Sequence, residues 1–321
     1  MRSFRGAAAA LLLAACVFMF AVQEVLADAK DDVLVFERQG WIFSSDGNGR
    51  KITRLVQGSR PGITPDGRLV AFFRPDPDDA SESRFDLWVY DRKRGLESQI
   101  ASSLPAASSA VWSNDGARIA FLARNSEALT RVVTVNADGS KLRTLLREGD
   151  GQVGFLCSLS FTPEDELLVH DMSSVYWVNP GGGVLRSVPL DRVMGSVASS
   201  VTSSDRFAVC PVDPAVLVFS HAVSGTPRFE AIMHEPSSGL SLHDSWVGVG
   251  KNMRITPQDV TAFDPVWSRD GKRIYFVGYR DVQAADAELF RIFRIDRFGS
   301  GLKELVLGES VAVGSGFAGG Q

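Results

Sequence analysis

One pattern of apolar and polar positions recurs along this chain. An apolar residue ends a run, a polar turn with an acidic residue follows, and apolar residues then return at every second position. The copies are Ile63-Thr-Pro-Asp-Gly-Arg-Leu-Val-Ala-Phe72, Trp112-Ser-Asn-Asp-Gly-Ala-Arg-Ile-Ala-Phe121, Phe161-Thr-Pro-Glu-Asp-Glu-Leu-Leu-Val-His170 and Cys210-Pro-Val-Asp-Pro-Ala-Val-Leu-Val-Phe219. Their acidic residues Asp66, Asp115, Glu164 and Asp213 are spaced 49 residues apart, and a fifth copy, Trp267-Ser-Arg-Asp-Gly-Lys-Arg-Ile-Tyr-Phe276, places Asp270 57 residues further on. Asp-Gly tolerates positive φ and marks a tight reversal between two strands. The period of two puts Val70, Ile119, Leu168, Leu217 and Ile274 on one strand face with Phe72, Phe121, His170, Phe219 and Phe276.

Each copy continues alike. A third strand is predicted at Asp86–Tyr90, Val132–Val135, Val175–Val178, Phe229–Ile232 and Leu289–Phe293. Glycine-bearing turns at Gly95, Gly139, Gly182, Gly239 and Gly299 follow. A short fourth strand is predicted at Leu96–Ile100, Leu142–Leu145, Leu185–Val188 and Leu302–Leu305, with a poorer equivalent beginning at Leu240. Four antiparallel strands per repeat make the blade of a β-propeller. Val33–Phe36, Trp41–Phe43 and Ile52–Val56 supply the last three strands of one more blade, whose innermost strand is missing. The uncharged Ser310-Val-Ala-Val-Gly-Ser315, with β-branched residues at alternate positions, is predicted to return and fill that slot. The expectation is an all-β, six-bladed propeller closed by its C-terminal strand.

Trp112-Ser-Asn-Asp-Gly-Ala-Arg-Ile-Ala-Phe121 with Asn136-Ala-Asp-Gly-Ser140, and Pro265-Val-Trp-Ser-Arg-Asp-Gly-Lys-Arg-Ile-Tyr-Phe276, resemble the repeats of TolB-like propellers. That family's pattern runs P-x-W-S-P-D-G-x-x-I-A-F, then a strand, then D-x-D-G. The resemblance covers about residues 31–307 and degenerates in the fourth and fifth blades. It corresponds to the propeller portion alone, without the α/β domain that precedes it in TolB. It implies protein partners at the cell envelope. Prolyl oligopeptidases carry a propeller fused to a hydrolase, but no G-x-S-x-G occurs here.

The N-terminus reads as a targeting segment. Arg2 and Arg5 precede the apolar stretch Ala7 to Val22, and Val25-Leu26-Ala27 has small residues where a cleavage site needs them. Sixteen apolar residues are short for a bilayer core of about 30 Å. Residues 1–27 are therefore expected to be a signal peptide, with 28–321 a single propeller domain in the periplasm or outside the cell. Leu13-Ala14-Ala15-Cys16 offers the alternative of a lipoprotein anchored through Cys16, though the apolar run continues past it.

Composition narrows the chemistry. The net charge of −4 gives no nucleic-acid footprint, and three cysteines in 321 residues exclude a disulfide scaffold. Cys157 and Cys210 hold different offsets in their repeats and are expected to be reduced and buried. Of His170, His221, His234 and His243, none lies on a predicted channel-lining strand, and no H-x-x-x-H or H-E-x-x-H occurs. His170 sits in the aromatic column and is expected to be a packed imidazole with a hydrogen-bond partner. His221 and Asp171 lie just past second strands of adjacent blades and are the candidate pair for a metal or acid/base site. Some propellers similar to this one are metal-dependent pectate-fragment lyases, so a carbohydrate lyase is the alternative function. No cofactor is expected.

In such blades, turns between first and second and between third and fourth strands emerge on one face. Here they are short. The other face receives the long segments Arg74–Phe85, Arg124–Arg131, Arg147–Gly154, Pro189–Arg206, His243–Asp264 and Tyr279–Ala287. Long loops on a rigid scaffold are where binding concentrates. Asp76, Asp78, Asp79 and Asp281 form a candidate acidic sector, and Trp246, Lys251 and Arg254 a candidate anchor in the longest segment. The sequence thus points to a monomeric, non-catalytic binding module that engages protein partners through its long-loop face.

Overall fold

The computed structural model describes residues 32–195, 201–223, 238–244, 252–280 and 289–315. Six four-stranded antiparallel sheets follow one another around a ring. The first blade contains β1 (Asp32–Arg38), β2 (Trp41–Asp46) and β3 (Thr53–Gln57); the second β4 (Ser59–Ile63), β5 (Leu69–Pro75), β6 (Arg84–Asp91) and β7 (Leu96–Pro105). The third holds β8 (Ser108–Trp112), β9 (Arg118–Arg124), β10 (Thr130–Asn136) and β11 (Arg143–Arg147). The fourth holds β12 (Ser158–Phe161), β13 (Leu167–His170), β14 (Ser174–Val178) and β15 (Val184–Pro189), followed by the short helix α1 (Leu190–Met194). The fifth holds β16 (Phe207–Cys210), β17 (Asp213–Ala222), β18 (Ser238–Asp244) and β19 (Asn252–Arg254). The sixth holds β20 (Thr261–Trp267), β21 (Arg273–Tyr279), β22 (Arg291–Asp296) and β23 (Lys303–Leu307). Finally β24 (Ser310–Ser315) returns to the first blade and pairs with β1, with Val33 opposite Gly314 and Phe36 opposite Val311. The predicted closure is the one observed.

Apolar side chains from the two faces of each blade fill six clusters, one at each junction between neighbours. Leu34 and Phe36 face the sixth blade, for example, while Val35 faces the second. The tryptophan column ties junctions directly: the indole N–H of Trp112 donates to the Gly62 carbonyl at 3.3 Å, and that of Trp267 to the Ala208 carbonyl at 2.9 Å. Cys210 occupies this column in the fifth blade, where the close approach of Gly271 leaves room only for a small side chain. The seam between first and sixth blades adds a buried polar lock. The Asp32 carboxylate accepts from the Arg273 guanidinium at 3.1 Å and the Tyr275 hydroxyl at 2.7 Å. Burial pushes the Asp32 carboxyl up against the pull of both partners.

Two expectations fail. In the fourth blade the hairpin closes one residue early, so Phe161 pairs with Leu167, whereas Trp112 pairs with Ile119 and Trp267 with Ile274. The turns at Thr64, Ser113 and Ser268 share a hydroxyl hydrogen-bonded to the aspartate two residues on. Glu164 is one methylene longer and makes no such bond among the described residues; the Thr162 hydroxyl instead accepts from the Glu166 N–H. A slip of one residue swaps strand faces. Leu167 and Val169 therefore face the third blade, and Leu168 and His170 face the fifth, away from the column in which the sequence put them.

The fifth blade is also redistributed. Its third strand is Ser238–Asp244 and its fourth Asn252–Arg254; the predicted third strand Phe229–Ile232 lies outside the described residues. The extra residues of the 57-residue interval thus fall between β17 and β18, and His243–Asp264 is not one long loop but parts of three strands.

Candidate functional site at the channel mouth

The innermost strands β24, β4, β8, β12, β16 and β20 surround a cavity of about 960 Å³ to which all six blades contribute. Most of its wall is small or apolar, from Ala110 and Val111 to Leu159, Ala208 and Val266. Its charged groups gather toward the long-loop end. Glu37 stands near the end of β1 there beside Glu309, with Arg60 on β4; Arg206 leads into β16 and Asp264 sits on β20, and Glu309 borders a smaller recess with both of them.

The geometry has a local cause. Arg60 and Asp264 each stand six residues before the turn aspartate of their blade, and both have left-handed φ, 52° and 49°. At both places the ladder to the second strand is interrupted, between Ser59 and Gly62 and between Phe263 and Val266. Such a bulge re-aims side chains and ends regular pairing. Glu37 accepts the Arg60 backbone N–H at 2.8 Å, and Arg206 pairs with Asp264 at 3.2 Å. Burial raises the Glu37 carboxyl, and the neighbouring Glu309 charge adds to that. Sequence reasoning did not single out these residues. The available signal was a charge inside an otherwise apolar inner strand, at one fixed distance from the turn.

Cys157 also borders the cavity. It and Cys210 are free and buried, and burial pushes the Cys157 thiol up to about 12. A thiol held protonated is a poor nucleophile.

The candidate metal pair is not brought together. The Asp171 carboxylate turns to the third-blade side, accepting from the Gly154 N–H at 2.8 Å and the Tyr176 hydroxyl at 2.7 Å, with Ser173 and Ser174 on its other oxygen. These donors hold it down at about 2 against the effect of burial. His221 is buried, with Nδ1 against the Ala222 carbonyl and Nε2 against the Ser241 hydroxyl. The carbonyl can only accept, so Nδ1 carries the proton and the Nε2 lone pair is taken by Ser241. His170 has the opposite tautomer, donating from Nε2 to the Asp205 carbonyl at 2.9 Å, and burial lowers it to about 4. It is the packed imidazole expected, though at the other junction. Among the described residues no three His, Cys, Asp or Glu side chains converge as a metal site requires.

The candidate partner-binding residues divide. Asp76, Asp78 and Asp79 lie in the β5–β6 loop on the long-loop face. Asp79 is spent on that loop, accepting from the backbone N–H groups of Ser81, Ser83 and Arg84. Asp76 accepts from the Asp78 N–H, and Asp78 is exposed. Arg254 ends β19 and donates to the Pro257 carbonyl. Trp246, Lys251 and Asp281 lie outside the described residues.

The ring of six four-stranded sheets decides the comparison. Its fold is that of TolB-like propellers. TolB from Acinetobacter baumannii superposes with a TM-score of 0.64 at 14% identity, covering 89% of this chain and 67% of that one. A TolB from Agrobacterium tumefaciens gives 0.56 at 14% identity, covering 89% and 98%. The β-propeller domain of the Trilobed protease from Pyrococcus furiosus gives 0.50 at 14% identity, covering 87% and 81%. That domain has an open velcro topology, whereas this TolB-like propeller is closed by β24. No family model matches the sequence, and no curated protein matches it.

Proposed function

We propose that this chain is a non-catalytic binding module of the periplasm or cell exterior, which takes a projecting segment of a protein partner at the mouth of its channel. The observation that carries this is the cavity itself: open on the long-loop face, with walls from six blades and opposed charges held at bulges rather than at a catalytic constellation. Arg60 and Arg206 offer cations, and Glu37, Asp264 and Glu309 carboxylates, around an apolar throat. Such a rim suits an extended peptide with charges of both signs. The acidic β5–β6 loop extends the negative side. The targeting pattern in residues 2–27 supports the location, and among the described residues no helix is long and apolar enough to cross a membrane.

The test is capture from envelope extract by the wild type and by an Arg60→Glu, Arg206→Glu double variant. A partner held by the first and lost by the second is expected. A partner held equally by both removes the mouth from the binding surface. Stoichiometric manganese, zinc or calcium in the purified protein, together with cleavage of a uronide chain, would replace this function by that of a carbohydrate lyase.

A further inference from the structure

The opposite face has its own repeated chemistry. Of the eight large hydrophobic side chains that stand exposed among the described residues, six lie on the short-turn face: Ile52, Leu96, Leu142, Leu185, Val212 and Phe298. They come from six different blades. Phe298 is 72% and Leu96 61% exposed. Five of them occupy one structural position, the turn into the fourth strand or its first residues.

Each of these five has basic neighbours in sequence. Arg50 and Lys51 precede Ile52, and Lys93 and Arg94 come just before Leu96. Lys141 and Arg143 flank Leu142, Arg186 follows Leu185, and Arg297 precedes Phe298. The acidic residues of the same turns are folded inward. Asp46 accepts from the Asn48 and Arg50 N–H groups, Asp91 from Lys93 and Arg94, Asp138 from Ser140, and Asp296 from Phe298 and Ser300. The third-to-fourth turns of this face therefore project basic side chains and aliphatic or aromatic tips, while their aspartates accept from their own backbone; Asp91 also pairs with Arg68 and Arg94, and Arg186 with Glu166.

We infer that the short-turn face docks on an anionic lipid surface, with the rim side chains entering the headgroup layer and the channel mouth turned away from the bilayer. The spacing favours a plane over a protein. A protein interface gathers its apolar residues into one central patch, whereas here single tips are distributed around a ring, and only a flat surface meets them together. Basic residues alternating with apolar tips are the composition that peripheral lipid contact uses. The chain also enters the fold on this face. Asp32 opens β1 at the end that pairs with Ser315, and the apolar stretch ending at Val22 lies just before it in sequence.

Co-sedimentation of the purified protein, with and without residues 1–27, tests this against vesicles of phosphatidylglycerol with phosphatidylethanolamine and against phosphatidylcholine alone. Binding of both forms to the anionic vesicles, weakened by salt, is expected. Leu96→Ser with Phe298→Ser should weaken it about tenfold, ~1.4 kcal/mol, and Lys93→Glu with Arg94→Glu should do the same. Met172→Ser, an exposed position on the other face, should leave it unchanged. All these side chains are exposed or project from turns, so an unchanged melting curve verifies folding. Absence of vesicle binding, binding that survives the rim substitutions, or binding that vanishes with residues 1–27 overturns the inference. So does finding that the rim substitutions release a protein partner instead.

Discussion

Replacing His170 by phenylalanine should remove a defined part of the acid sensitivity of this fold. The imidazole is fully buried between the fourth and fifth blades, 5.0 Å from the Phe207 ring, and its single strong partner is the Asp205 carbonyl. Burial holds it neutral down to about pH 4, whereas the unfolded chain takes up a proton near 6.5. The stability it contributes is therefore full above 6.5 and is lost as the pH falls toward 4. At pH 4.5 the unfolded histidine is almost wholly protonated and the folded one only partly, a difference of about 2.5 kcal/mol. Phenylalanine carries no proton and joins an interface already lined by Phe207 and Phe219, but it removes one of the two donors to the Asp205 carbonyl, which keeps the Arg206 guanidinium at 3.1 Å, costing about 1 kcal/mol at neutral pH. Urea unfolding of both proteins at pH 7.5 and 4.5 gives the comparison. The wild type should lose about 2.5 kcal/mol more than H170F between the two conditions. Other carboxylates and His221 titrate in both proteins and cancel in the difference. Equal losses would refute the reasoning, because His170 would then be hydrated or protonated in the folded state.

Asp32→Ala should cost about 3–5 kcal/mol in the same assay, since it leaves the buried Arg273 guanidinium without its main carboxylate; a loss below 1 kcal/mol would show the seam lock to be dispensable. Truncation after Leu307 removes β24, and one cooperative transition at lower urea concentration is expected, whereas a midpoint matching that of the full chain would mean that β24 contributes nothing. Trp112→Ala deletes a buried indole and its bond to the Gly62 carbonyl and should cost about 3–5 kcal/mol; a variant as stable as the wild type would refute its role at the junction. Mass spectrometry of the protein from its host should give Asp28 as the first residue, and an acylated Cys16 in that place would make it a lipoprotein.

The architecture was readable because a blade repeats two strong local signals, the Asp-Gly reversal and the alternation after it. Ring closure was readable from a missing strand and an unused uncharged one. The fourth blade misled because its residues align with the other copies one for one, while the turn geometry depends on a side-chain bond that Glu164 does not make. No apolar pattern records that slip. In the fifth blade Leu240 and Leu242 alternate as a strand should, but the absence of an Asp-Gly turn and the long β17–β18 connection displaced the assignment by one strand. The channel mouth escaped because Arg60 and Asp264 matter through a bulge, and backbone conformation at a charged residue leaves no trace in hydrophobic periodicity.

β24 and β1 meet across nearly the whole length of the chain. A polypeptide delivered N-terminus first, whether from a ribosome or through a translocation pore, presents β1 long before the strand that completes it. Blades two to six have all their strands local in sequence and can assemble in order of arrival. The first remains three-stranded, with an open edge beside the unfinished channel, until the last strand emerges. Loop-closure entropy rises only with the logarithm of loop length, so this distance costs little stability but much time. Arrival of β24 is thus the event that converts an open spiral into a ring. A product cut short upstream of β24 keeps its adhesive edge, which marks it for aggregation or for the proteases that clear unfinished proteins.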